Sequence, residues 1–168
     1  MTDPVVAVLG ATGAVGNVVL NVLAERNFPC RELIPLASSR SAGKNISFGG
    51  REHIVREATP ESFAGIDLVF SAVDSSVSRE LVPHAVNAGA IVIDKTSAWR
   101  YEDDVPLVIP EVNPDDIDGH NGIISCPNCS TIQMVMALAP LEHVFGLERV
   151  IVSTYQSVSG AGAAAMQE

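Results

Sequence analysis

Seven residues near the start of the chain, Gly10-Ala11-Thr12-Gly13-Ala14-Val15-Gly16, constrain the fold more than any other stretch. They follow the apolar run Val5 to Leu9, which reads as a buried strand. They open Ala14 to Arg26, where Val15, Val18, Val19, Val22 and Leu23 recur at helical spacing until Phe28-Pro29. A G-x-x-G-x-x-G turn between strand and helix is a variant of the dinucleotide fingerprint. Its glycines let the backbone turn tightly and approach a pyrophosphate, and the helix N-terminus offers free N–H groups and partial positive charge. Gly10, Thr12, Gly13, Ala14, Val15 and Gly16 are therefore candidate cofactor-binding residues. A plain tight turn is the bland alternative.

The rest of the chain keeps alternating strand and helix. Leu33 to Ala37, Ile66 to Ala72, Ile91 to Ile93 and Ile123 to Ser125 read as strands, and Ser78 to Asn87 reads as a helix stopped near Gly89. Ile46 to Phe48 and His53 to Val55 flank Gly49-Gly50, a hairpin signal. Ala98 to Gly122, with Pro106, Pro110 and Pro114 and its acidic clusters, reads as a long loop of functional kind. Ser130 to Val144 is apolar on most sides, so a buried helix is expected there, kinked or ended near Pro140. Val150 to Tyr155 reads as a strand, Gly160-Ala161-Gly162 as a turn and Ala163 to Glu168 as the start of a helix. Alternation of this kind predicts an α/β fold, a Rossmann-like, doubly wound, mainly parallel sheet covered on both faces.

Composition narrows the function classes. Ten basic residues against 20 acidic ones give a net charge of −10, and only Lys44 and Lys95 are lysines. That argues against an extended nucleic-acid or anionic-membrane surface, but leaves room for one anion pocket built from a few arginines and backbone amides. No run approaches the ~18 apolar residues of a membrane span, and the N-terminus lacks the features of a signal peptide. Three cysteines, Cys30, Cys126 and Cys129, are too few for a disulfide scaffold, so a reducing cytoplasm is the expected home.

The second strand is followed by Ser38-Ser39-Arg40-Ser41-Ala42-Gly43-Lys44. An NAD-binding version would carry an acid there for the ribose hydroxyls. Hydroxyls and cations suit a 2′-phosphate instead, so NADP(H) is the expected cofactor, with Ser38, Arg40 and Ser41 as candidate contacts. A solvated polar loop is the competing reading.

Ser125-Cys126-Pro127-Asn128-Cys129-Ser130-Thr131 joins a strand to a helix. As a zinc site the C-x-x-C is half a site, since Cys30 stands alone and His120 and His143 lack ligand spacing; no metal is expected. As a thioredoxin-like pair it lacks the rest of that pattern. As a nucleophile, Cys129 would lie at a helix N-terminus, where the dipole favours an anionic sulfur, and amides of the first turn could hold an oxyanion. Cys126 could in principle bridge to Cys129 under oxidation, but a small buried residue is the preferred reading. A cysteine nucleophile beside a nicotinamide site suggests chemistry between an acyl group and an aldehyde.

With those residues in view, the chain resembles the aspartate-β-semialdehyde dehydrogenase family. The resemblance rests on the glycine turn, Ser38 to Lys44, Thr96 to Arg100, Val105 to Asn113, Pro127-Asn128-Cys129-Ser130-Thr131 and Ser153 to Gly162, in that order. It implies NADPH-dependent reductive dephosphorylation of aspartyl phosphate to the semialdehyde, at the head of the lysine, threonine, methionine and diaminopimelate routes. It assigns Cys129 as the acyl-forming nucleophile and Asn128 as a residue that helps position it. It makes Gln156 the residue that orients the acyl intermediate, Arg100 the phosphate ligand, and Ser159 and Gly160 cofactor contacts. It also implies a small-molecule substrate and a homodimer or homotetramer.

The alternatives are N-acetyl-γ-glutamyl-phosphate reductase, which usually shows Pro-Gly-Cys-Tyr around its nucleophile, and a non-catalytic NADP-binding module. Glyceraldehyde-phosphate dehydrogenase is set aside, because its Ser-Cys-Thr-Thr motif and its acid after the second strand are both missing. Two departures from the family pattern stand out: Val73-Asp74 where a glycine is usual, and Lys95 where Asn is usual. The expected organisation is a dinucleotide-binding domain over 1–131, followed over 132–168 by a helix, a strand and the start of a second domain. On that reading the family's catalytic and dimerisation domain is missing or only begun. The chain would be about half an enzyme, its N-terminal NADP-binding portion, and poorly active alone.

Overall fold

Val5–Leu9 forms β1, buried along its whole length. Its alternate side chains serve two cores. Val5, Ala7 and Leu9 join Leu36, Val69 and Val92 on one face, while Val6 and Val8 meet Leu20 and Leu23 on the other. A strand buried on both faces belongs in the middle of a parallel sheet between two helical layers. The helix α1, Ala14–Glu25, covers the Val6 face, and α2, Ser75–Asn87, covers the opposite one through Leu81, Val82 and Ala85.

The computed structural model describes residues 3–156. The remaining strands are β2 (Glu32–Ala37), β3 (Asn45–Phe48), β4 (Arg51–Ile54), β5 (Arg56–Glu57), β6 (Leu68–Ser71), β7 (Ile91–Asp94) and β8 (Ile123–Ser125). The main sheet has six strands in the order β5-β2-β1-β6-β7-β8, every pair parallel. The separate β3–β4 hairpin is antiparallel and turns at Gly49-Gly50. The chain runs outward from β1 to β2 and β5, then returns to the other side of β1 at β6. That reversal opens a crevice at the carboxyl ends of β1 and β6, the usual ligand position in such sheets.

Several expectations need adjustment. The strand β5 has only two residues, too few to show periodicity; it exists because the Arg56 and Glu57 backbone pairs with Leu36 and Ala37. The helix α2 starts at Ser75, ahead of its first buried apolar positions. The long loop from Ala98 to Gly122 contains a 3-10 turn at Pro114–Gly119. It is pinned to β8 by hydrogen bonds from Val108 N–H to the Ser125 carbonyl and from Ser125 N–H to the Pro106 carbonyl.

The last helix, α3 (Cys129–Phe145), is long, with Pro140 inside it, but none of its residues is buried. Its apolar character does not lead to burial among the described residues, because no sheet face there packs over it. Met136, Leu141, Val144 and Phe145 are exposed. Residues 151–156 have no regular structure and are exposed, so the strand expected over Val150 to Tyr155 does not form among the described residues; its backbone pairs with none of the described strands. The expected turn at Gly160 and the helix from Ala163 lie outside the described residues, as do Ser159 and Gly160 themselves. No helix among the described residues is long and apolar enough to cross a membrane.

Candidate active site at the carboxyl edge of the sheet

A cavity of about 520 Å³ occupies the crevice. Gly10, Thr12, Gly13, Ala14 and Val15 form one wall, Ala37, Ser38 and Ser39 a second, and Ala72, Val73 and Asp74 a third. The glycine turn is held by its own packing. Gly10 has φ +86°, and a Cβ there would lie 2.6 Å from the Ala72 carbonyl oxygen. A Cβ on Gly16 would come within 2.1 Å of the Gly10 carbonyl oxygen. Gly16 therefore lets α1 sit against the turn, while Gly10 lets β1 approach β6. The cap residue Gly13 makes no side-chain cap bond and the first turn of α1 carries no acid, so its amides are free to meet an anion. The cavity fits a dinucleotide in its lining and in its helix terminus.

The expected 2′-phosphate contacts divide. Ser38 lines the cavity, together with Ser39. Arg40 is exposed on the 3-10 turn Ser39–Ser41 and Ser41 is buried at its end, and neither is among the residues that line the cavity. Glu57, Thr59 and Pro60 also line this end. Sequence reasoning did not reach them, because only the pairing of β5 with β2 brings them there.

A second cavity, about 210 Å³, lies next to the first. Its lining is nearly all polar: Asp74, Ser75, Lys95, Thr96, Ser97 and Arg100, with Val73. Val73, Asp74 and Lys95 line both cavities, so the two departures from the family pattern stand at the seam between them.

Beneath this pocket is a buried polar cluster. Asp94, fully buried at the end of β7, accepts hydrogen bonds from Ser78 Oγ at 2.7 Å and from the Thr96 backbone N–H at 2.7 Å, and also from the Thr96 hydroxyl. Ser78 Oγ in turn accepts from Trp99 Nε1 at 2.8 Å. Arg79 lies over the Trp99 ring and donates to the Ala98 carbonyl. The loop 95–100 is thereby fixed to α2 and β7. On its far end, Arg100 donates Nε to the Cys126 carbonyl at 2.9 Å and Nη2 to the Lys95 carbonyl at 2.8 Å. Those bonds use two of the five guanidinium N–H donors.

Arg100 thus ties the polar pocket to the cysteine segment. Cys126 N–H donates to the Asp94 carbonyl, and three residues after Cys126 the chain enters α3. Asn128 is the cap: its Oδ1 accepts from Ser130 N–H at 3.0 Å and from Ser130 Oγ at 2.6 Å. Cys129 is the first residue of the helix and is exposed. Gln156 donates its amide to the Cys129 sulfur at 3.3 Å. Cys126 is different. Burial pushes its thiol up, the Asp94 carboxylate adds to that, and Arg100 works against both.

With this geometry established, likeness to known proteins becomes decisive. The family model described as semialdehyde dehydrogenase, NAD binding domain, matches residues 5–120. The chain belongs to the semialdehyde dehydrogenase family. A second model, semialdehyde dehydrogenase, dimerisation domain, matches residues 138–168. Aspartate-semialdehyde dehydrogenase of Bacillus subtilis is 56% identical over 163 residues, covering 97% of this chain and 47% of that protein. The Aquifex aeolicus protein of the same name is 52% identical, covering 97% of this chain and 49% of its own length.

Among solved structures, aspartate semialdehyde dehydrogenase II of Vibrio cholerae, complexed with ASA, superposes with a TM-score of 0.92. It is 46% identical and covers 99% of this chain and 50% of that one. The Candida albicans enzyme, solved with NADP, gives 0.72 at 33% identity over 87% of this chain and 48% of its own.

These matches correct one expectation. The semialdehyde dehydrogenase similarity is not confined to an N-terminal NADP-binding portion, and the second domain is not missing. It runs across 97–100% of the chain in the Bacillus and Synechocystis relatives and takes in dimerisation-domain sequence from residue 138, within α3. As a separate fact, the chain spans about half the length of the relatives it matches.

Proposed function

We propose that this chain carries the cofactor cleft and the nucleophile for NADPH-dependent reductive dephosphorylation of β-aspartyl phosphate to aspartate semialdehyde. One observation carries the reading: the cavity at the glycine turn opens onto a polar pocket whose Arg100 is bonded to the loop that delivers Cys129. Dinucleotide site, anion pocket and exposed thiol at a helix N-terminus thus follow one another along a single sheet edge.

In this reading the phosphate of the acyl phosphate enters the polar pocket, where Arg100 and Lys95 offset its charge and Ser97 offers a hydroxyl. The Cys129 sulfur attacks the acyl carbon, and the C–O bond to phosphate breaks with its electron pair on the departing phosphate. The product is an acyl thioester on Cys129. Amides at the start of α3 hold the oxyanion that forms on the way, Asn128 keeps that helix start in shape, and the Gln156 amide orients the acyl group. NADPH, when bound, would supply the hydride; the bond from the acyl carbon to the Cys129 sulfur then breaks with its electron pair on sulfur, releasing the aldehyde. Ser38 and Arg40 would hold the 2′-phosphate of NADPH, the amides of Thr12 and of Ala14 to Gly16 its pyrophosphate, and Ser159 and Gly160 its nicotinamide end.

The same reading divides the chain into a dinucleotide-binding domain over 1–131 and a segment over 132–168 that belongs with the dimerisation domain. It makes the protein a cytoplasmic homo-oligomer, in keeping with the apolar side chains exposed along α3 and with a dimerisation-domain match that begins inside that helix. Calorimetric titration with NADPH tests the cleft, and mass spectrometry of the chain after exposure to β-aspartyl phosphate tests the nucleophile. An acyl adduct on Cys129 that is absent from Cys129→Ser is the expected result; an adduct on Cys30 or Cys126 instead, or none, overturns the assignment.

A further inference from the structure

The absence of an acid after β2 points to NADPH, yet the fold brings an acid to the same place from another strand. In the parallel pairing of β2 with β5, Ala37 lies opposite Glu57, and both residues line the dinucleotide cavity beside Ser38 and Ser39. Side chains of paired residues in a parallel ladder project to the same face. Glu57 therefore stands on the cavity side, while its neighbour Arg56 projects to the other face and pairs there with Glu32 at 3.3 Å. Arg56 does not neutralise it. The 3-10 turn that carries Arg40 packs beside β5.

We propose that Glu57 is a cofactor-selectivity residue that keeps the cleft open to NADH. A carboxylate at the end of the second strand accepts hydrogen bonds from adenosine ribose hydroxyls, and the same carboxylate repels a 2′-phosphate. Glu57 supplies that group from the adjacent strand. Ser38 and Arg40 favour the phosphate, Glu57 opposes it, and the balance between them sets the ratio of affinities. The inference rests on the reading of the cavity as the dinucleotide site and is independent of the acyl chemistry at Cys129.

The test is calorimetric binding of NADPH and NADH to the chain and to Glu57→Gln, at low and at high salt. The substitution removes the charge and keeps an acceptor. The backbone contacts of Glu57, its pairing with β2 and the bond from Ser62 Oγ to its carbonyl, are untouched. The expected result is a wild type that binds both nucleotides and a variant whose preference for NADPH over NADH rises about tenfold, the worth of one charge-assisted contact. That shift shrinks as added salt screens the repulsion. A variant that changes both affinities by the same factor, or shifts preference toward NADH, overturns the proposal and leaves the cofactor site standing. A wild-type chain that binds neither nucleotide overturns both. Glu57→Ala, which also removes the acceptor, is expected to weaken NADH as well, and unchanged NADH affinity there refutes the ribose contact.

Discussion

The Gln156 side-chain amide donates to the Cys129 sulfur across 27 residues of sequence, at 3.3 Å. Both side chains are exposed, so the contact buries little and holds no core together. A hydrogen bond to charge that develops during the reaction is worth about 1.5–3 kcal/mol. On the proposed function, Gln156→Ala is expected to lower kcat/KM for the acyl phosphate about ten- to a hundredfold, with unfolding free energy changed by less than about 0.5 kcal/mol. Steady-state kinetics beside denaturant titration checks this; equal losses in both would make the contact structural.

Cys126 and Cys129 differ in exposure: Cys126 is half-buried and Cys129 exposed. Iodoacetamide at neutral pH is expected to modify exposed Cys129 first, with Cys126 following at higher pH, because burial and then Asp94 push its thiol up. The same shift gives a stability signature. A thiol whose pKa is raised on folding contributes stability that is fully present below the unfolded thiol value and is lost as pH climbs toward the folded one. Cys126→Ser should flatten the alkaline side of the stability profile, as measured by urea titration between neutral and alkaline pH.

The glycine turn offers a graded test. Gly16→Ala would set a methyl 2.1 Å from the Gly10 carbonyl oxygen, while Gly13→Ala would set one at 3.3 Å with an ordinary backbone angle. Gly16→Ala is expected to cost more than about 4 kcal/mol or to prevent folding, as severe overpacking against backbone does. Gly13→Ala should fold and lose chiefly nucleotide affinity. Circular dichroism melts and nucleotide titration distinguish the two.

Ser71, Asp94 and Ser125 are register partners at the ends of β6, β7 and β8, and all three are buried. Only Asp94 is satisfied; Ser71 Oγ and Ser125 Oγ have no hydrogen-bond partner among the described residues. Ser125→Ala is expected to be neutral or stabilising by up to about 1 kcal/mol, since it removes a buried hydroxyl that bonds to none of the described residues. Asp94→Ala is expected to cost about 3 kcal/mol, because it strands the Ser78 hydroxyl and the Thr96 N–H. It should also weaken phosphate binding through the loop to Arg100. Chemical denaturation of the two variants gives the comparison directly.

Local chemistry carried much of this protein into view. The apolar run of β1, the glycine turn, the helical spacing of α1 and the Cys129 segment each declare themselves within a few neighbouring residues, because backbone sterics and hydrophobic period act at that range. The parallel α/β order follows from them. The misreadings lie where contact partners decide the outcome. Burial of α3 and a strand over Val150 to Tyr155 both need a surface to pack or pair with, and an apolar composition states the need without naming the surface. The segment Arg56-Glu57 is a strand only because β2 lies beside it. The link from Arg100 to the Cys126 carbonyl, the seam position of Lys95 and the placing of Glu57 opposite Ala37 were likewise settled by the sheet. Strand order and register juxtapose residues far apart in sequence, and no local pattern encodes which carboxylate will face which phosphate.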